Sequence, residues 1–167
     1  MQEEKRMLGV GMLFVGVTLI SNGLGGLLKI DKKSLAVMNG FTGVLSFIIN
    51  LVYLWCGDYY AAATGFLFAF TYLFVTLVSV FNLDDRVYGI FCLFVAINTV
   101  PCAYISFASE GDWRFAIIWL VWGALWLTGF IETVLAKKIG IPVYYFAIFT
   151  GIFTAWIPGF LMITELW

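Results

Sequence analysis

Residues 113–136 read WRFAIIWLVWGALWLTGFIETVLA, a stretch of 24 residues in which only Arg114 and Glu132 carry a charge. A helix that crosses the hydrocarbon core of a membrane needs about 20 mostly apolar residues, whereas a spanning strand needs only about 10. The stretch is therefore long enough for a membrane helix and too long for a strand of a barrel. Both charges lie near its ends, where long side chains can reach the interface.

Five further stretches share this character, and charged residues separate them along the chain. Together they give six predicted spans, at residues 7–28, 34–56, 59–83, 87–108, 113–136 and 139–164. The connections are so short that consecutive helices must lie side by side and antiparallel. We therefore predict an all-α integral membrane protein, in which residues 1–167 form a single domain, a six-transmembrane-helix bundle of three helical hairpins.

The composition agrees with a lipid environment. Hydrophobic residues make up 63% of the chain and charged residues 11%, against about a quarter in a typical soluble domain. A net charge of -1, with basic residues scattered along the chain, gives no sign of a nucleic-acid partner. Histidine, the commonest metal ligand and general base, is absent, and no nucleophile stands beside an obvious base. We expect no metal site, no cofactor and no enzymatic activity.

The distribution of basic residues predicts how the bundle is oriented. The first, third and fifth loops hold six of the nine basic residues, namely Lys29, Lys32, Lys33, Arg86, Lys137 and Lys138. The opposite side holds the other three, together with six acidic residues: Lys5, Arg6, Arg114, Glu3, Glu4, Asp58, Glu110, Asp112 and Glu165. Because cytoplasmic loops are enriched in Lys and Arg, we expect both termini to lie outside.

Tryptophans form a stripe in the middle of the fifth span. Trp119, Trp122 and Trp126 are spaced i, i+3 and i+7, so on a helix they face the same way. Membrane tryptophans usually lie at the interfaces, where the indole N–H meets water. At mid-span a lipid-facing N–H has no partner, so these side chains must face either packed protein or a wet cavity. The stripe alone leaves both interpretations open.

Other polar residues at membrane depth favour the cavity. All are uncharged, namely Asn22, Asn39, Asn50, Asn98, Tyr72, Tyr104, Thr150 and Thr154. Some of them will form hydrogen bonds between helices, which is the structural alternative. The set lacks the embedded carboxylates and arginines that proton relays and voltage sensors need. An uncharged path lined by aromatic rings suits a small, neutral, flat solute such as urea or acetamide.

Eight segments distributed along the chain carry a further signal. They are VG at 15–16, LISNG at 19–23, ATG at 63–65, FTYL at 70–73, LFVAINTVP at 93–101, EGDW at 110–113, IIWLVWGALWLTGFIE at 117–132 and TAWIP at 154–158. These segments resemble the AmiS/UreI family of urea channels and amide transporters. They fall in five of the six predicted spans, so the resemblance covers essentially the whole chain.

The resemblance implies a bacterial inner-membrane protein that forms a homohexamer in membrane lipid, with a separate pore in each protomer. The pore-lining residues that it implies are Trp119, Trp122, Trp126, Phe68 and Tyr72, with Met12, Val15 and Leu19 as aliphatic companions. We therefore expect a passive channel for urea, with a short-chain aliphatic amide such as acetamide as the alternative solute. A membrane assembly subunit without transport activity is the remote alternative. A functional link to a cytoplasmic urease or amidase is also implied.

Two departures from the family pattern bear on the solute and on gating. Urea-channel relatives carry a glutamate where this chain has Thr150, which can hydrogen-bond an amide on the pathway but cannot ionise. Acid-gated relatives have longer outer loops with histidine, whereas the turn between the second and third spans is here only Gly57 and Asp58. Because carboxyl groups in water titrate near pH ~4, we expect a pore that stays open between about pH 5 and about pH 8.

Overall fold

Six long helices joined by short turns make up the fold. The structure is a computed structural model that describes residues 2–167, so residue 1 of the predicted domain lies outside it. The helices are α1 (Gln2–Leu28), α2 (Lys32–Trp55), α3 (Tyr59–Phe81), α4 (Arg86–Ala108), α5 (Trp113–Thr133) and α6 (Ile141–Ile163). All six are long and apolar enough to cross a membrane, which confirms the predicted all-α fold class.

Aspartate side chains begin three of the helices. Asp31 accepts hydrogen bonds from the backbone N–H and the hydroxyl of Ser34, at 2.9 and 2.6 Å. Asp58 and Asp112 each accept the backbone N–H three residues further on, at 3.0 and 3.1 Å. These caps satisfy donors that the start of a helix leaves unpaired, so each helix can begin directly after a short turn.

The turn between α5 and α6 is longer than the sequence predicted. α5 ends at Thr133 and α6 begins at Ile141, whereas the predicted spans end at residue 136 and begin at residue 139. One carboxylate oxygen of Glu132 accepts the backbone N–H groups of Ile139 and Gly140, both at 3.1 Å. Glu132 therefore organises this turn at the end of the helix.

The helices pack as three close pairs. α2 packs along α3, and α4 packs along α5, so two of the pairs are hairpins of consecutive helices, whereas three such hairpins were predicted. The third pair joins α1 to α6, the first and last helices of the chain. Contacts between α5 and α6 and between α3 and α4 are much less extensive. The short turns therefore set the order of the helices, while the closest packing of α1 is with a helix far away in sequence.

Glycines in α1 let α6 approach closely. Gly9, Gly16 and Gly23 recur every seven residues, and each of them contacts α6. A Cβ atom added to Gly16 would lie 2.8 Å from the backbone nitrogen of Trp156, and one added to Gly9 would lie 2.7 Å from the carbonyl oxygen of Gly159. In lipid there is no hydrophobic driving force between helices, so membrane helices associate through small residues that allow close packing. We call these three glycines and the α6 surface that they contact the glycine seam.

The middle of α6 is a π-helical segment, Gly151–Trp156. Pro158 follows this segment and has no N–H to donate to the carbonyl four residues earlier, so the ordinary α-helical ladder is interrupted there. Short π segments inside α-helices are frequent at functional sites. This one contains Thr154, whose hydroxyl takes part in the site described below.

Polar side chains join α1 to α2 within the bundle. Asn22 and Asn39 exchange two amide hydrogen bonds, at 3.0 and 2.8 Å, and Asn39 is completely buried. One turn away the hydroxyl oxygens of Thr18 and Thr42 lie 2.7 Å apart. Asn22 and Asn39 therefore hold two helices together, since these embedded amides bind each other across α1 and α2.

Replacing Asn39 by alanine is expected to lower the free energy of unfolding by about 1–2 kcal/mol, because the Asn22 amide loses its partner. The measurement is unfolding of the purified protein in micelles by a denaturing detergent. Asn98→Ala is the matched control, since the Asn98 amide donates to the Phe94 carbonyl of its own helix at 2.8 Å. Equal losses of stability in the two variants would contradict the role given to the Asn22–Asn39 pair.

Candidate solute pathway

A cavity of about 610 Å³ enters the bundle on the side where α1 begins and where the α2–α3 and α4–α5 turns lie. Charged residues line its mouth, among them Glu4, Lys5, Asp58, Glu110 and Asp112. Its inner end is lined by uncharged residues that include Met12, Val15, Phe68, Trp119 and Trp122. These five inner residues are among those that the sequence predicts to line a pore.

Aromatic rings crowd together at the inner end of the cavity. The ring centroid of Phe68 lies 5.9 Å from that of Trp119, 4.6 Å from that of Trp122 and 4.8 Å from that of Trp126. We call these four residues the aromatic cluster. Its rings meet edge to face or tilted, as their quadrupoles favour. All three tryptophans are buried and two of them border the cavity, so the stripe both packs in the core and faces the cavity.

Threonine hydroxyls bind the indole N–H groups of two of these tryptophans. Trp122 Nε1 donates to Thr154 Oγ1 of α6 at 2.9 Å, and Trp126 Nε1 donates to Thr71 Oγ1 of α3 at 3.0 Å. A buried N–H without a partner costs free energy. These two bonds therefore explain how α5 carries tryptophans at mid-membrane depth.

Three predicted residues in or near the aromatic cluster do not line this cavity. Tyr72 and Leu19 pack with Val15 in a second buried group. Trp122 is the innermost tryptophan that lines the cavity. Trp126 lies one helical turn further in and contacts Phe68. The cavity therefore reaches the part of the predicted pathway nearest its mouth, and the part beyond Trp122 is closely packed.

Thr150 has an unpaired hydroxyl in the core. Its side chain is completely buried, and among residues 3–167 Thr150 Oγ1 is the one buried side-chain polar atom without a hydrogen-bond partner. Its own carbonyl oxygen accepts the hydroxyl of Thr154 at 2.6 Å. Leaving such a hydroxyl unpaired costs about 1–3 kcal/mol, so a passing ligand or water is a natural partner. Thr150 stays a predicted solute contact.

Trp167 lies at the mouth of the cavity, which the sequence did not predict because a lone tryptophan carries no spacing signal. Its indole N–H donates to Asp112 Oδ2 at 2.8 Å, and the Arg114 guanidinium lies 4.2 Å from its ring centroid. Burial raises the pKa of Asp112, but hydrogen bonds from the Phe115 backbone and from the indole, with the nearby guanidinium charge, bring the pKa below its usual value. The Asp112 carboxylate therefore remains charged in mildly acidic solution.

Polar side chains of α2 form part of the cavity wall. The sequence singled out only one of them, Asn50. Ser46, Asn50 and Tyr53 are three or four residues apart and all line the cavity. Asn50 Nδ2 donates to the Ser46 carbonyl, and the Tyr53 hydroxyl donates to the Glu4 carbonyl, both at 2.7 Å. Their spacing is the signal that could have found them, since residues three and four apart share a helix face.

Charged groups are confined to the mouth of the cavity. The acidic residues that line it are Glu4, Asp58, Glu110 and Asp112, all from the start of α1 and the adjoining turns. In residues 2–167 no three His, Cys, Asp or Glu side chains lie together as metal ligands would. Aromatic and aliphatic side chains therefore dominate the inner end of the cavity.

Comparison with known proteins decides the family. The family model described as "AmiS/UreI family transporter" matches residues 7–166. The chain belongs to the AmiS/UreI family. The resemblance carried by the eight sequence segments is thereby confirmed.

Relatives in the AmiS/UreI family match nearly the whole chain. The acid-activated urea channel of Helicobacter pylori is 44% identical over 195 residues, which cover 96% of this chain and 100% of that protein. A crystal structure of the H. pylori urea channel has a TM-score of 0.89 at 46% identity, over 96% of this chain and 99% of that chain. A putative amidate substrates transporter protein of Mycolicibacterium smegmatis is 35% identical over 165 residues, 95% of this chain and 78% of its own. All three are named as channels or transporters, and the chain is an integral membrane protein.

Proposed function

We propose that this AmiS/UreI protein is a passive transmembrane channel for urea. The observation that carries the proposal is a cavity that ends at an uncharged aromatic cluster, in a chain 44% identical to an acid-activated urea channel. The solute crosses without chemical conversion. The proposed pathway is lined by Met12, Val15, Leu19, Phe68, Tyr72, Trp119, Trp122, Trp126 and Thr150.

The chemistry of the walls explains why urea passes and ions do not. Urea is flat and neutral, so it can lie between aromatic rings while it keeps part of its hydration. An ion that enters a low-dielectric interior loses solvation worth on the order of 20 kcal/mol before the protein relaxes, and aromatic or aliphatic walls return little of it. The indole N–H groups of Trp122 and Trp126 already have partners, so a solute meets the rings themselves.

The surroundings of the channel are part of the proposal. The asymmetry of basic residues supports a cavity mouth that faces outward from a bacterial inner membrane, with both termini on that side. Many large apolar side chains are exposed on the bundle, for example Phe41 and Ile97, and lipid or neighbouring protomers of a homohexamer would cover them. A cytoplasmic urease or amidase is the proposed consumer of the solute.

A short-chain amide such as acetamide is the second candidate solute. The M. smegmatis relative is named as a putative transporter of amidate substrates. At Thr150 the family resemblance implies a glutamate in urea channels, and a carboxylate accepts the amino groups of urea more strongly than a hydroxyl does. The buried hydroxyl of Thr150 therefore favours urea over acetamide less than a glutamate would.

Uptake into proteoliposomes tests both candidates. Radiolabelled urea and acetamide are supplied at neutral pH without an ion gradient, and empty liposomes measure the background. Rapid uptake that stops at equal inside and outside concentrations supports a passive channel, and the ratio of the two rates identifies the preferred solute. Absence of flux above background for both solutes contradicts the proposal and favours an assembly subunit.

Urea flux is expected to be the same at about pH 7.5 and at about pH 5.5, because the chain has no histidine to titrate between them. The pKa of Asp112 lies below its usual value, so this carboxylate loses its charge, and any stability that the charge contributes, only as the pH falls through that lowered value. The measurement is the initial rate with inside and outside pH matched. A severalfold rise at the lower pH would indicate gating by the carboxylates of the mouth.

A further inference from the structure

Two threonines anchor two of the tryptophan rings beside the pathway. Trp122 Nε1 donates to Thr154 Oγ1 at 2.9 Å, and Trp126 Nε1 donates to Thr71 Oγ1 at 3.0 Å. Both threonine side chains are buried. Both tryptophans belong to α5, but their anchors come from different helices, α6 for Trp122 and α3 for Trp126. The ring positions therefore depend on how three helices are placed relative to one another.

Each threonine hydroxyl donates its single proton to a backbone carbonyl. Thr154 Oγ1 donates to the Thr150 carbonyl at 2.6 Å, and Thr71 Oγ1 donates to the Leu67 carbonyl at 2.7 Å. With its proton committed, each oxygen can only accept a hydrogen bond. Indole, hydroxyl and carbonyl thus form a chain that runs in one direction, from the ring to the backbone. Neither the indole N–H nor the hydroxyl proton is left for a solute.

Anchoring fixes the geometry of the aromatic cluster. The rings of Trp122 and Trp126 meet the ring of Phe68 edge to face, with angles of 77° and 65° between the ring planes. The second side-chain torsion of tryptophan has a broad distribution, so an unanchored ring can turn. A hydrogen bond from the indole N–H removes this freedom, because it ties one edge of the ring to another helix.

The π-helical segment supplies one of the anchors. Thr154 lies inside Gly151–Trp156, where each turn holds more residues than in an α-helix. The segment therefore changes the direction in which its side chains leave α6. In this register the hydroxyl of Thr154 reaches the indole of Trp122 across the bundle.

We propose that Thr71 and Thr154 are positioning residues that hold the rings of Trp126 and Trp122 and thereby set which solutes the pathway admits. The inference rests on the proposed channel function. The threonines act through the tryptophans and do not bind the solute themselves. Rings that cannot turn admit a flat molecule the size of urea more readily than a bulkier relative such as N-methylurea.

Valine and serine substitutions test the two anchors separately. Thr71→Val and Thr154→Val keep the branched shape and remove the acceptor, whereas Thr71→Ser and Thr154→Ser keep the hydroxyl. Thr128→Val is the matched control, since the Thr128 hydroxyl donates to the Leu125 carbonyl at 2.6 Å within α5. The measured quantity is the ratio of urea flux to N-methylurea flux in proteoliposomes of the full chain. Ultraviolet resonance Raman spectra of the same samples report hydrogen bonding of the indoles.

Each valine variant is expected to lower the flux ratio roughly two- to tenfold, which is the range that one lost hydrogen bond produces. Its spectrum should show the loss of one hydrogen-bonded indole. The serine variants should keep the wild-type ratio, and Thr128→Val should keep both the ratio and the spectrum. If one valine variant does not assemble, the valine and serine variants of the other threonine still test the inference.

Two results would overturn the inference while urea flux itself persists. One is a wild-type flux ratio in valine variants that conduct urea, since ring anchoring then does not set selectivity. The other is a serine variant that behaves like its valine counterpart, since packing rather than the hydrogen bond is then responsible. A wild-type protein that passes neither solute would overturn the proposed function together with the inference.

Discussion

Replacing Trp122 by alanine is expected to lower the ratio of urea flux to N-methylurea flux at least about tenfold, which corresponds to about 1.4 kcal/mol of discrimination. The Trp122 ring borders the inner end of the cavity and packs edge to face against Phe68 at 4.6 Å and Trp119 at 5.3 Å. Its removal takes away one wall of the aromatic cluster. Bulkier amides and water then meet less resistance, so selectivity falls even where total flux rises. Proteoliposome flux measures both quantities.

Trp126→Ala is expected to act in the same direction, and Trp55→Ala is the control because its side chain is 91% exposed. Truncating a buried tryptophan costs about 3–5 kcal/mol, so assembly of each variant is checked by size-exclusion chromatography. We expect assembly to persist. Wild-type flux and selectivity in both Trp122→Ala and Trp126→Ala would contradict a pore-lining role and leave the tryptophan stripe with a role in core packing only.

Gly16→Val is expected to lower the free energy of unfolding by about 3 kcal/mol and to reduce the yield of folded protein. A Cβ atom on Gly16 would lie 2.8 Å from the backbone nitrogen of Trp156 and 3.0 Å from the carbonyl oxygen of Gly151. Backbone atoms cannot move aside as a flexible side chain can, so α1 and α6 must separate. Thermal unfolding in detergent, followed by tryptophan fluorescence, measures the loss.

A pair of alanine substitutions isolates the effect of close approach. Gly40→Ala places its Cβ 3.4 Å from Thr76 Cγ2, an ordinary contact, so it is expected to be neutral or to stabilise by about 0.5–1 kcal/mol. Gly16→Ala meets the backbone of α6 and is expected to destabilise. Equal effects in the two alanine variants would contradict the role of the glycine seam.

The tryptophan stripe could be predicted because helical periodicity is a local property. The i, i+3, i+7 spacing of Trp119, Trp122 and Trp126 places them on one face of α5 whatever surrounds that helix. Hydropathy is local in the same way, and it predicted six spans, as many as the membrane-length helices in residues 2–167. The structure added that this face meets Phe68 of α3 at the end of a cavity.

The pairing of α1 with α6 could not be predicted, because it joins segments at opposite ends of the chain. The seven-residue spacing of Gly9, Gly16 and Gly23 is visible in the sequence, and it indicates a packing face. It does not identify the partner, since glycines are common in membrane helices. Only the three-dimensional structure shows that the partner face belongs to α6.

The threonine anchors depend on relations between helices that no local pattern contains. Thr154 was noticed as an embedded polar residue, but its bond to Trp122 requires the depth and rotation of α6 relative to α5. The π-helical segment adds a local change of rotation that helical periodicity does not anticipate. Sequence therefore located the polar and aromatic residues, and tertiary packing decided which of them bind each other.

The most direct test of passive permeation is the dependence of urea flux on urea concentration and on ion gradients, measured with the purified protein in liposomes. We expect the initial rate to rise in proportion to the urea concentration difference, to be equal in both directions and to stay unchanged when ionophores collapse proton and sodium gradients. Accumulation of urea above the outside concentration, or flux that requires an imposed gradient, would contradict a passive channel.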